Sequence, residues 1–147
     1  MRLLLFIWTI IIFAFTCVKD VYGLLNGEIE FAFAKTPHWT NLFTLYSIDD
    51  ISKIEFVGHF FLFFILTGLL VSVCNRISNA VVIGLLYAIA TELLQPLFGR
   101  GAEGADLLAN IIAIIAFAIL YGVVKIEFEK GRRKVYKQEN ENAQDLL

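Results

Sequence analysis

The chain has 147 residues, of which 59% are hydrophobic and 18% are charged, and its formal net charge is −2. A soluble domain is roughly 45–50% apolar and about 25% charged. The mean hydropathy of +0.74 therefore excludes a disordered protein and a typical soluble enzyme. The near-neutral charge excludes a nucleic-acid binder that relies on a basic surface, so we expect no nucleic-acid partner. This composition indicates an integral membrane protein.

The hydrophobic residues are concentrated in four blocks that contain almost no charge. Each block has 16 to 20 residues and would be roughly 24–30 Å long as a helix, close to the hydrocarbon thickness of about 30 Å. The blocks do not alternate as barrel strands do, and lipid requires every backbone group to be satisfied internally. We therefore predict an all-α membrane protein, a bundle of four transmembrane helices. Their predicted bounds are 3–18, 54–75, 79–97 and 106–124.

The distribution of lysine and arginine predicts the orientation of this single transmembrane domain, residues 1–124. Residues 125–147 form a charged tail with six basic residues, whereas the connection between the third and fourth helices has only Arg100. An even number of spans places both termini on one side, and the basic tail makes that side cytoplasmic. The long first connection, residues 19–53, and the connection around Arg100 are then expected to face outward.

The first connection contains an amphipathic segment. Trp39, Leu42, Phe43 and Tyr46 are spaced at i, i+3, i+4 and i+7, which places them on one helix face. Ahead of them, residues 29–34 alternate in a pattern typical of extended chain. An aromatic helix beside a membrane indicates either a segment lying in the outer interface or an aromatic belt that anchors the bundle.

The first block also resembles a signal sequence, because Arg2 precedes an apolar core that ends near Cys17. Phe15 is too bulky for lipoprotein processing or for a small-residue cleavage site, so we expect the block to remain as a membrane helix. The predicted topology places Cys17 and Cys74 at opposite membrane faces. A disulfide needs Cα atoms within about 7 Å, so none is expected between them.

Three pairs of polar residues interrupt the apolar helices, and polar residues in lipid are costly and rare. Each pair has a spacing of three or four, so both members lie on one helix face. The pairs are Glu55 with His59, Glu92 with Gln95, and Asp106 with Asn110. With the predicted topology, all three pairs lie in one layer near the outer leaflet, beneath the connection that holds Arg100.

Small residues indicate which helix faces meet, because they allow helix backbones to approach closely in a membrane. Two stripes of small residues run beside the polar pairs of the third and fourth helices. They are Ala80, Gly84 and Ala88, and Ala109, Ala113 and Ala116. The polar pairs are therefore expected to point between helices and not at lipid.

The polar layer supports both a structural and a functional interpretation. It could fix the bundle through ion pairs, interhelical hydrogen bonds and a helix cap, or it could bind a ligand. The candidate ligand-binding residues are Glu55, His59, Glu92, Gln95, Arg100, Asp106 and Asn110. Glu92 and His59 are the candidate base and acid if a reaction takes place. One histidine among scattered carboxylates does not specify a metal site, so no metal and no cofactor are predicted.

The spacing of five of these residues resembles the VanZ-like family of small bacterial membrane proteins. The family pattern is a Glu and a Gln three apart, an Arg five further on, an Asp after six and an Asn after four. The matching residues are Glu92, Gln95, Arg100, Asp106 and Asn110. The segment from Glu55 to Phe63 is similar to the family's first conserved helix, and the resemblance covers about residues 40–122. The sequence departs from the pattern at Ala113, where glycine is usual, and at Phe117, which is bulky.

The resemblance implies a multi-pass protein of the bacterial plasma membrane that is linked to the cell envelope and to teicoplanin resistance. Its expected partners are membrane lipids, and a lipid-linked cell-wall precursor or a glycopeptide. We expect an outward-facing site that binds a lipid head group or peptidoglycan precursor and modulates glycopeptide susceptibility. Two alternatives remain open: an intramembrane hydrolase or transferase acting on an envelope lipid, and an accessory subunit whose polar layer is only structural.

Overall fold

The computed structural model describes residues 1–17, 26–27, 33–37, 39 and 52–144, with the backbone alone at 135, 137 and 139–144. These residues form helices and no strand. The elements are α1 (Arg2–Cys17), α2 (Lys53–Val73), α3 (Ile77–Leu94), a 3₁₀ helix (Gln95–Phe98) and α4 (Gly104–Gln144). The predicted all-α bundle is confirmed at this level.

Local sequence signals determine where the helices begin and end. The Ser52 hydroxyl accepts a hydrogen bond of 3.5 Å from the backbone N–H of Glu55, which caps the first turn of α2. Pro96 lies at the start of the 3₁₀ helix, where its missing N–H removes no helical hydrogen bond. Gly99 ends that helix with a φ of 75°, a conformation that glycine adopts without steric cost. The chain can therefore turn tightly from α3 into α4.

The core lies between α2, α3 and α4, and α1 packs against α2 and α3. Ala80, Ala88, Ala109 and Ala113 are fully buried, as the small-residue stripes predict. Gly84 is buried as well, and a Cβ at this position would lie 3.4 Å from the Ile114 side chain of α4. Small residues thus set a close approach between α3 and α4.

Two side-chain hydrogen bonds attach α1 to the bundle. The Trp8 indole N–H donates to the Leu62 carbonyl of α2 at 3.0 Å, and the Tyr87 hydroxyl of α3 donates to the Thr9 carbonyl at 2.6 Å. In apolar surroundings a buried donor without a partner is costly, so these bonds favour one position of α1.

Within the part of the chain that the structure describes, three helices are long and apolar enough to cross a membrane: Lys53–Val73, Ile77–Phe98 and Gly104–Lys134. Helix α1 is equally apolar but has 16 residues, so it would be about 24 Å long. Large apolar side chains such as Leu86 and Ile119 face outward. Exposed large apolar side chains occur on all four helices, and so extensive an apolar surface is typical of a bundle that contacts lipid.

Helix α4 extends beyond the apolar span into the charged tail. The helix continues to Gln144, about twenty residues beyond the predicted end of the span near residue 124. The charged tail contains no proline, and its Lys130 pairs with Glu127 one turn earlier at 2.8 Å. A polar segment with good helix formers therefore extends the apolar helix.

Two other predictions lie largely outside the described residues. The amphipathic segment of the first connection has only Trp39 described, so its helical character stays a prediction. Of the alternating residues 29–34, only Phe33 and Ala34 are described, and neither belongs to a strand. The Ala34 backbone N–H donates to the Leu97 carbonyl at 2.9 Å, which attaches this part of the connection to the 3₁₀ helix.

Gly68 of α2 accommodates the bulky Phe117 of α4. A Cβ on Gly68 would lie 2.9 Å from the Phe117 ring, so Gly68→Ala should lower the free energy of unfolding by about 1–3 kcal/mol. Gly58 is the matched control, because a Cβ there meets nothing within 4 Å and Gly58→Ala should stabilise α2 by about 0.5–1 kcal/mol. Thermal unfolding in detergent measures both. Equal unfolding temperatures for the two variants would contradict this packing.

Candidate functional site

The end of α1, the beginning of α2, the end of α3 and the beginning of α4 meet at one end of the bundle, here called the polar end. The structure joins all seven sequence-predicted site residues there into one network. They are Glu55 and His59 of α2, Glu92 of α3, Gln95 and Arg100 near the turn, and Asp106 and Asn110 of α4. The predicted convergence of three helices is therefore confirmed in the geometry.

His59 lies at the centre of this network and is only 4% exposed. Its Nδ1 lies 3.2 Å from Asn110 Oδ1, and its Nε2 lies 3.3 Å from Asp106 Oδ2. A neutral imidazole carries one proton, which donates to Asn110 Oδ1 when it is on Nδ1 and to the Asp106 carboxylate when it is on Nε2. With the proton on Nδ1, the Nε2 lone pair faces the Asp106 carboxylate across 3.3 Å.

Glu92 and Gln95 lie beside His59 and are both fully buried. The Gln95 amide Nε2 donates to Glu92 Oε1 at 3.1 Å, and the same oxygen lies 3.9 Å from His59 Nδ1. Among the described residues, the other oxygen of each side chain, Glu92 Oε2 and Gln95 Oε1, has no well-aligned hydrogen-bond partner, although the Glu103 backbone also interacts with the Glu92 carboxylate. The expected pairing of Gln95 with the Glu92 face is confirmed.

Arg100 bridges the mouth of the network, with a side chain that is 10% exposed. Its Nη2 lies 3.3 Å from Glu55 Oε1 and 3.6 Å from Asp106 Oδ2. Its Nη1 donates to the Phe15 carbonyl near the end of α1 at 3.3 Å. Asp106 is therefore within ion-pair distance of Arg100. Within the described chain, its second ion pair is with Glu55 and not with Glu92.

Glu103 joins the polar end although it was not among the predicted site residues. It precedes α4 and is half-buried, and one oxygen each from Glu55, Glu103 and Asp106 lie within 4.8 Å of one another. Burial raises the pKa of Glu103, the charges of Asp106 and Glu55 raise it further, and Arg100 lowers it. The polar end therefore contains four acids around a single arginine.

A second group of three potential ligands lies deeper. One donor atom each from His59, Glu92 and Asp106 lie within 4.8 Å of one another, and all three residues are buried. Sequence spacing does not reveal this group, because its members come from three different helices. Asp106 belongs to both groups, and its Oδ2 has ion-pair contacts but no well-aligned hydrogen bond.

A cleft of about 410 Å³ opens beside Arg100. It is bounded by the turn after the 3₁₀ helix, where Gly99 and Gly101 leave the backbone accessible, and by Lys35 of the first connection. Lys35 was not predicted as a site residue, because nothing in the sequence of the first connection relates it to Arg100. The cleft places two cationic side chains at the entrance to the acidic network, a combination that suits an anionic ligand.

Apolar helices around a buried polar network define a multi-pass membrane protein with a helical bundle. The chain is 30% identical over 129 residues to the uncharacterized membrane protein YwnJ of Bacillus subtilis strain 168. The aligned region covers 84% of this chain and 91% of YwnJ. The chain therefore belongs to the same family of membrane proteins as YwnJ. No protein-family model matches the chain, and no solved structure matches it.

Removing Arg100 should destabilise the polar end. Arg100→Met leaves the buried Asp106 carboxylate unpaired, so the free energy of unfolding should fall by about 3–5 kcal/mol. Adding Asp106→Asn removes the unpaired charge, and a double-mutant cycle should show coupling of about 0.5–3 kcal/mol. The matched control is Lys130→Met, which breaks an exposed ion pair and should cost about 0.5 kcal/mol or less. If the two changes had additive effects on the free energy of unfolding in detergent, the contact between Arg100 and Asp106 would be contradicted.

Proposed function

We propose that this chain is a VanZ-like protein of the bacterial plasma membrane that binds an anionic envelope-lipid head group at its polar end. The observation that carries the proposal is the cleft at this end, which brings Lys35 and Arg100 together. Both side chains are cations, and the guanidinium is suited to bidentate recognition of phosphate. The two glycines beside Arg100 allow a head group to approach the backbone.

The VanZ-like assignment is supported by the five-residue pattern and by its clustering. Glu92, Gln95, Arg100, Asp106 and Asn110 are spread over 19 positions of the sequence and belong to one network. A family pattern that marks a shared site should bring its residues together in this way. The proposed physiological role is the one that the resemblance implies, modulation of susceptibility to teicoplanin through a lipid-linked cell-wall precursor.

In the proposed orientation, α1 crosses the membrane in addition to the three longer helices, which gives four spans. Both termini then lie in the cytoplasm. The basic residues of the tail support it, because cytoplasmic flanks are rich in lysine and arginine. The polar end then opens to the outer leaflet, where a lipid head group reaches the cleft laterally or from the aqueous side.

Lipid binding should depend on Lys35. The Lys35→Gln variant should bind phosphatidylglycerol or undecaprenyl pyrophosphate about two- to tenfold more weakly, the loss expected for one solvent-exposed hydrogen bond of about 0.5–1.5 kcal/mol. The matched control is Lys53→Gln, because Lys53 is exposed at the start of α2 and does not line the cleft. Native mass spectrometry and lipid-dependent thermal stability measure the binding, with phosphatidylcholine as the neutral comparison. In a teicoplanin-challenged strain, the same variant should lose tolerance while Lys53→Gln keeps it.

Three results would contradict the proposal. Thermal stability that no tested lipid changes would exclude a head-group site, and the polar layer would be only structural. Release of a labelled product from lipid in proteoliposomes, abolished by Glu92→Gln, would favour the hydrolase alternative. Full teicoplanin tolerance in a well-expressed Arg100→Ala variant, compared with an empty vector, would exclude Arg100 from the ligand site.

The orientation has an independent test. In a background without Cys17 and Cys74, an impermeant thiol reagent on intact cells should label Ser47→Cys in the first connection. It should not label Ser78→Cys, which lies at the start of α3 near the opposite end of the bundle. Labelling of Ser78→Cys alone would invert the topology and place the polar end in the cytoplasm.

A further inference from the structure

We propose that His59, Glu92 and Asp106 form a binding site for one divalent transition-metal ion, with Zn²⁺ or Mn²⁺ as the favoured ions. The site lies behind the cleft and uses different side chains from the head-group contacts of Lys35. It does not depend on the proposed function, because an ion can bind here whether or not a lipid occupies the cleft.

The donor atoms are grouped closely enough for one ion to reach them after a small adjustment of the side chains. One donor atom from each of the three residues lies within 4.8 Å of the other two, whereas two atoms bound to one ion are at most about 4.4 Å apart. His59 Nε2 and Asp106 Oδ2 are 3.3 Å apart, so an ion about 2.0–2.1 Å from each would subtend an angle of about 105°, near the tetrahedral value. Three protein ligands also leave a fourth position open, as in zinc sites that bind a water or substrate.

Buried acceptors without partners are the second and independent observation. Among the described residues, four buried side-chain atoms lack a well-aligned hydrogen bond: the acceptors Glu92 Oε2, Gln95 Oε1 and Asp106 Oδ2, and the donor Asn110 Nδ2. Their residues are at most 2% exposed. Three of the four atoms are oxygen acceptors, and a cation is a ligand that satisfies several oxygen acceptors at once.

Neighbouring side chains hold the three ligands in the form that a metal requires. A metal-bound histidine usually donates its other ring N–H to a carbonyl or carboxylate oxygen. His59 has this arrangement, because Nδ1 faces Asn110 Oδ1 at 3.2 Å and leaves Nε2 free towards Asp106. Gln95 donates to Glu92 Oε1 and leaves Oε2 available. Asn110 and Gln95 are therefore positioning residues for the site.

The charge of the polar end also favours a cation. Glu55, Glu92, Glu103 and Asp106 contribute four carboxylates, and the basic side chains in their ion pairs within the described chain are Arg100 and His59, which is charged only when protonated. Arg100 contacts Asp106 from the cleft side at 3.6 Å, so it acts as an outer partner of a ligand. A mixed set of one imidazole and two carboxylates suits Zn²⁺ or Mn²⁺ better than Mg²⁺ or Ca²⁺, which prefer oxygen ligands alone.

The test measures metal content in lipid-free detergent, with a purification tag that contains no histidine. The EDTA-stripped protein is dialysed against Zn²⁺ or Mn²⁺ and assayed by inductively coupled plasma mass spectrometry. We expect about one ion per chain and a higher thermal unfolding temperature. His59→Gln and Glu92→Gln should weaken binding about tenfold or more, and Asn110→Ala should weaken it about tenfold through the histidine.

Two matched controls make the result specific. His38→Gln removes the chain's other histidine, and Glu103→Gln removes a carboxylate of the outer acidic group, so both should keep the ion. Circular dichroism and size-exclusion chromatography show whether each variant is folded. If the folded wild-type protein retains no ion, the proposed site is overturned. Protons shared among the carboxylates would then balance the negative charge of the polar end. Loss of the ion in Glu103→Gln but not in Glu92→Gln would overturn it in favour of the outer group.

Discussion

A charged side chain that is buried in an apolar bundle destabilises it by several kcal/mol unless a partner compensates its charge. In this bundle, the Asp106 carboxylate is the main group that needs such partners. Asp106 is 2% exposed and lies in the first turn of α4, where the helix dipole favours a negative charge. Its Oδ2 lies 3.3 Å from His59 Nε2 and 3.6 Å from Arg100 Nη2. The positions of α2, of the turn after α3 and of α4 therefore depend on the same carboxylate.

Arg100 extends this dependence to α1. Its guanidinium contacts Asp106 and Glu55 and donates to the Phe15 carbonyl, so one side chain connects three helices. A guanidinium has five donors in a fixed plane, and these contacts use only part of them. The side chain keeps donors for the cleft while it holds the bundle together. Structural and binding roles of Arg100 are thus compatible, although the sequence presents them as alternatives.

The sequence predicts the helices and the clustering of the polar pairs, because hydropathy and spacing of three or four are local properties. It does not predict that Arg100 pairs with Glu55, that Phe15 contributes a carbonyl, or that Lys35 lines the cleft. Those contacts depend on the rotation of each helix about its axis and on the path of long connections, which no local pattern specifies. The sequence also does not mark the end of α4 at Gln144, because a polar helix has no hydrophobic period.

Close helix packing and the chemistry of the polar end are coupled. His59, Glu92 and Asp106 belong to three helices, and their donor atoms lie within 4.8 Å only because the backbones approach closely. Gly84 lies against Ile114, and Gly68 leaves space for the Phe117 ring. A Cβ added to Gly68 would be 2.9 Å from a carbon of that ring. A Cβ at Gly68 would press against the Phe117 ring, whereas a Cβ at Gly84 would make an ordinary van der Waals contact with Ile114. Residues deep in the apolar bundle therefore help to set the spacing of the helices whose ends form the site.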